Sequence, residues 1–131
     1  MLPEPVRRAA RRLQYALAAV PAAQDRDAAI HEARKATKRA RYAAEAAAPA
    51  LGSTASRQAE QAKELQQLLG DHHDSVVARA VLLDLAGKAR AAGEDTFTYG
   101  LMHQRQACQA TTIEQALPRF TAARHDRTTA H

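Results

Sequence analysis

The stretch His31-Glu32-Ala33-Arg34-Lys35-Ala36-Thr37-Lys38-Arg39-Ala40-Arg41-Tyr42 constrains this chain more than any other. It contains no Gly or Pro, and its residues are strong helix formers. Each residue of a helix advances about 100°. With His31 as origin, Lys35, Lys38, Arg39 and Tyr42 fall within roughly 80° of it, and Arg34 and Arg41 within about 80° on the other side. Ala33, Ala36, Ala40, Ala43 and Ala47 gather opposite, with Thr37 and Ala44 near them. The segment therefore reads as a helix with one small apolar side and one basic side.

The basic side needs a physical reason. Like charges one turn apart repel by about 0.2–0.5 kcal/mol per pair. Interleaved acids would cancel this, yet Glu32 and Glu45 stand only at the margins. An ordered anion offsets the repulsion instead. Cations repeating every turn, about 5.4 Å, can meet successive charges of a linear polyanion. The competing reading is an ordinary solvated Lys/Arg face.

The chain has 131 residues, enough for one domain, 1–131, with its own core. Hydrophobic residues make up 46%, but many are alanine, and aromatics are only 4%. That favours an all-α fold of closely packed helices over a sheet. A net charge of +5 suits an anionic partner: nucleic acid, a membrane surface or a polyphosphate. Cys108 is the only cysteine, so no intrachain disulfide forms; it reads as a small buried residue in a reducing, cytoplasmic setting. No run of about 18 apolar residues exists, and no membrane partner is expected. Arg7, Arg8, Arg11 and Arg12 before the apolar patch ending near Val20 faintly imitate a signal peptide, but Gln14 interrupts the patch.

The spacing predicts about five helices in an antiparallel bundle. Val6, Ala10, Leu13, Leu17 and Val20 mark the first, stopping before Pro21, and the four arginines on its outer face either extend a basic surface or, the favoured reading, serve solubility. Asp25 or Asp27 caps the second, which runs to about Ala48 and ends at Pro49 and Gly52. Ala59, Ala62, Leu65, Leu68 and Leu69 form the buried stripe of a third, closed by Gly70. Asp74 reads as the cap of a fourth, with Val76, Val77, Val81, Leu82 and Leu85 for its core and Gly93 as its stop. A fifth begins near Thr96 and ends or kinks at Pro118, and the tail from about 121 frays.

Two motifs carry a family resemblance. The first is His31, Arg34, Lys38-Arg39 and Arg41-Tyr42, with Glu45 in place. The second is Leu65-Gln66, Leu69-Gly70, His72 and Asp74, with Lys63 just upstream. Gly100-Leu101 followed by Arg105 adds a weaker third. Together these resemble the CHAD family, the conserved-histidine α-helical domain, over roughly residues 1 to 117. The resemblance implies antiparallel helix hairpins and a basic groove that binds inorganic polyphosphate without catalysis. Members usually hold two copies of a four-helix unit, and this chain resembles one, the C-terminal copy, plus a preceding or split helix. Two chains are therefore expected to pair and complete the groove.

The candidate polyphosphate-binding residues are His31, Arg34, Lys35, Lys38, Arg39, Arg41, Tyr42, Lys63, His72 and Arg105. The arginines offer planar forks for bidentate phosphate contacts and the lysines act as point charges. The expected partner is inorganic polyphosphate, with sulfate or phosphate standing in for it in crystals. The resemblance also implies association with polyphosphate granules. A general polyanion or nucleic-acid binder is the alternative, but no base-stacking set of aromatics and no clear recognition helix supports it. No cofactor is expected. His72-His73 and Cys108 lack the converging ligands that zinc wants, so no metal is expected. There is no Gly-rich phosphate loop, Ser/His/Asp set or carboxylate pair in a basic setting, so no catalytic residue is assigned.

Overall fold

The computed structural model describes residues Leu2 to Thr121. The described residues are all-α, with four α-helices and a closing 3₁₀ turn: α1 (Glu4–Ala19), α2 (Arg26–Leu51), α3 (Ser53–Ala91), α4 (Phe97–Ala116) and the turn Leu117–Phe120. They form two compact units. One comprises the described residues up to Leu69 together with those from Leu117 on; the other is Gly70–Ala116.

In the first unit, α1 packs along α2. Asp25 starts α2, its Oδ1 accepting from the Ala28 amide at 3.0 Å. Leu13, Leu17 and Val20 meet Ile30, Ala33 and Ala36 of α2, Leu65 and Leu69 of α3, and Leu117 of the 3₁₀ turn. Burying each Leu or Ile stabilises the unit by about 1.5–3 kcal/mol. The alanines of α2 keep the helices close, as the small side of the helix predicts. The turn is tied back where Gln14 Nε2 donates to the Phe120 carbonyl at 2.9 Å. In the second unit, Ser75 Oγ donates to the Gln106 carbonyl at 2.7 Å, which fixes the second half of α3 against α4. Asp95 Oδ1 accepts from the Phe97 amide at 3.0 Å at the start of α4.

Four expectations are corrected. The third and fourth helices are one: α3 runs through Gly70, and Asp74 lies exposed within it rather than capping a new helix. A helical glycine costs about 1 kcal/mol against alanine, too little to break a ladder flanked by buried Leu69, His72 and Ser75. Pro49 does not end α2 but sits in its last turn. Gly52 ends it, in the left-handed region at φ 72°. Of the residues assigned to the fourth core, Leu82 is buried, but Val77, Val81 and Leu85 are exposed. Cys108 is exposed on α4.

Gly93 does terminate α3, at φ 75° and with its amide donating to the Arg90 carbonyl. Pro118 does mark the change from α4 to the 3₁₀ turn. The fraying expected from about 121 lies outside the described residues beyond Thr121.

Candidate functional site

The inward side of α2 buries Ile30, Ala33, Ala36, Thr37 and Ala44. Thr37 spends its hydroxyl on the Ala33 carbonyl at 2.7 Å, so it asks nothing of its neighbours. That packing fixes the rotation of the helix and turns the basic side outward. His31, Lys35, Arg39 and Tyr42 are exposed, and Arg34, Lys38 and Arg41 are half-buried.

These cations fall into two groups. Lys35 Nζ lies 2.7 Å from Glu32 Oε1. That hydrogen bond, helped by the charges of Lys35, His31 and Arg39, holds the Glu32 carboxyl below its ordinary range. Arg41 Nε donates to Glu45 Oε1 at 2.7 Å, and its Nη1 donates to Gln66 Oε1 at 3.1 Å. The bond to Glu45 raises the pKa of Arg41 further. Arg41 is thus a brace between α2 and α3.

Arg34, Lys38 and Arg39 differ. None lies in an ion pair within 4.0 Å of a carboxylate among the described residues. The Arg34 Nε is buried without a hydrogen-bond partner. A buried N–H left unmet costs about 1–3 kcal/mol, more for a charged group, unless a ligand or water takes it. Lys63 is exposed on α3. It stands three residues before Gln66, and so on the side of α3 that meets Arg41.

His72 and Arg105 belong to the other unit. His72 is 1% exposed, with Nε2 3.5 Å from Glu114 Oε1. It is therefore held by a helix partner rather than presented on the surface. Arg105 is exposed on α4.

Sequence reasoning favoured solubility for Arg8 and Arg12 over extension of a basic surface. The structure sets both, with Arg39, around a cavity of about 160 Å³ between α1 and α2. The signal was present as the four-residue spacing of Arg8 and Arg12, but only the packing of α1 on α2 brings them to Arg39.

An all-helical protein with a basic helix face held off a small-residue core is the class that this fold and site define. The CHAD domain family model matches residues 1–83, and the chain belongs to the CHAD domain family. The match takes in both main motifs and stops short of the third, at Gly100 to Arg105. Uncharacterized proteins MT2285 and Rv2226 of Mycobacterium tuberculosis, from strains CDC 1551 / Oshkosh and ATCC 25618 / H37Rv, are each 47% identical over 92 residues. The alignment covers 70% of this chain and 17% of each relative. No solved structure matches. The CHAD domain is linked in general to polyphosphate binding.

Proposed function

We propose that this chain is a non-catalytic module that binds inorganic polyphosphate on the outward face of α2. The observation that carries the reading is the set Arg34, Lys38 and Arg39, without an ion pair at contact distance among the described residues, on a helix whose opposite side is packed. Lys38 and Arg39 supply a point charge and a planar fork at neighbouring positions, and half-buried Arg34 adds a cation one turn earlier. His31, Lys35, Tyr42 and Lys63 flank them. Arg41 keeps the face rigid, His72 supports the second unit, and Arg105 is an auxiliary contact on α4. Binding weakens with salt and strengthens with chain length, because successive phosphates add charge contacts.

The test is a titration with polyphosphate of defined length at two salt concentrations. Lys38→Ala with Arg39→Ala lowers affinity about tenfold or more, at roughly 1.5–3 kcal/mol per charged hydrogen bond lost, and leaves the helical circular dichroism unchanged. Retained affinity in that double variant refutes the assignment. Duplex or single-stranded nucleic acid in excess displaces polyphosphate poorly. Magnesium with polyphosphate yields no released phosphate.

A module of this kind acts where polyphosphate collects, at cytoplasmic granules. Among the described residues, no helix is long and apolar enough to cross a membrane. Two chains pair to complete the binding groove, a reading supported by the exposed apolar residues of the second unit.

A further inference from the structure

Four arginines stand on α1, and their surroundings differ. Arg7 and Arg11 share Glu4, at 2.9 Å and 2.8 Å. The bond from Arg11 holds the Glu4 carboxyl below its ordinary range. Arg8 and Arg12 lie in no ion pair within 4.0 Å of a carboxylate among the described residues. They lie one turn apart, about 6 Å along the axis. Both line the cavity of about 160 Å³ in the α1–α2 groove. Pro5, Ala9 and Ala36 form its other walls, and Arg39 completes it from α2.

The chemistry of this cavity is one-sided. Three arginines, all exposed, border a space whose remaining walls are small and apolar. No carboxylate lines it. The charge of Arg8 is felt by Glu4 and that of Arg39 by Glu32. Glu4 is engaged by Arg7 and Arg11, and Glu32 by Lys35. A tetrahedral oxyanion fits such a set, since each fork can give two parallel N–H donors to one phosphate. Arg39 belongs both to this cavity and to the α2 face.

We propose that Arg8, Arg12 and Arg39 form a phosphate subsite in the α1–α2 groove, through which a polyphosphate chain held on α2 passes onto α1. The subsite rests on the reading of α2 as the polyphosphate face. It lengthens the track, so its effect grows with the ligand. Long polyphosphate engages both helices, whereas tripolyphosphate reaches only part of the track.

The experiment titrates the full chain with long-chain polyphosphate and with tripolyphosphate at two salt concentrations. Arg8→Gln with Arg12→Gln removes two charges from exposed helix positions and retains helix propensity. Arg57→Gln with Arg90→Gln removes the same charge from exposed positions that do not line the cavity. Thermal melts confirm that both variants fold. The expected result is a loss of about tenfold in long-chain affinity and a shallower salt dependence for the first pair, with less than about a twofold change for the second. The loss for tripolyphosphate is smaller. Equal losses in the two pairs overturn the subsite, because net charge alone then accounts for them. No loss in the first pair, with Lys38→Ala and Arg39→Ala still damaging, overturns the subsite and leaves the α2 face standing. A wild-type chain that binds no polyphosphate overturns both.

Discussion

Arg39 and Arg41 stand two positions apart on α2 and meet different fates. Arg41 is committed to Glu45 and Gln66, and Arg39 opens onto a cavity with Arg8 and Arg12. The Glu45 pair was legible from its four-residue spacing. The Gln66 bond and the α1 arginines were not, because both need a second helix in place. Glu32 gives a test at this scale. Its folded pKa is lowered from the usual 4.5, chiefly by the Lys35 hydrogen bond. The stability it contributes is therefore present above that usual value and is lost as pH falls through the lower folded one. In the same window its protonation releases Lys35, while internal phosphates of the ligand stay ionised. Polyphosphate affinity is expected to rise there. Glu32→Gln raises affinity at pH 7 by about twofold and flattens the rise at acid pH, measured by titration across pH.

The helices show where pattern reading works and where it stops. The buried side of α2 and the Leu65–Leu69 stripe of α3 followed from spacing, since one side of each helix is plainly apolar. The junction at Gly70 did not. Glycine followed by a polar cluster imitates a helix stop, yet burial of His72 and Ser75 just beyond it favours continuation. Gly70 has no positive φ, and a Cβ there would meet nothing within 4 Å. Gly70→Ala is therefore expected to stabilise the chain by about 0.5–1 kcal/mol, read from urea unfolding. A loss of stability would show that the glycine serves something other than the helix. Pro49 taught a similar lesson: near a helix end, a missing N–H forfeits one bond and the chain carries on for two more residues.

At the scale of the molecule, the two units differ in finish. The first closes a core from three helices and the 3₁₀ turn. The second leaves Val77, Val81 and Leu85 exposed at four-residue spacing on α3, and Phe97, Leu101 and Met102 exposed on α4. Their apolar character was legible, and their exposure was not, because a periodic stripe looks the same whether its cover lies within the chain or outside it. Pairing of two chains over this surface predicts a light-scattering mass of twice the chain at micromolar concentration, falling to one chain in Val81→Lys. A single-chain mass for the wild type refutes the pairing.

The alanine lining of α2 has an effect that reaches beyond its own contacts. Thin side chains let α1 and α2 draw together, and Arg8, Arg12 and Arg39 come to line one groove between them. Three cations thus share the very joint that gives the protein its shape. On the proposed reading, a polyanion that enters this joint binds the folded chain alone, so the protein melts later when loaded. On that reading its thermal transition becomes a gauge of how much polyphosphate surrounds it.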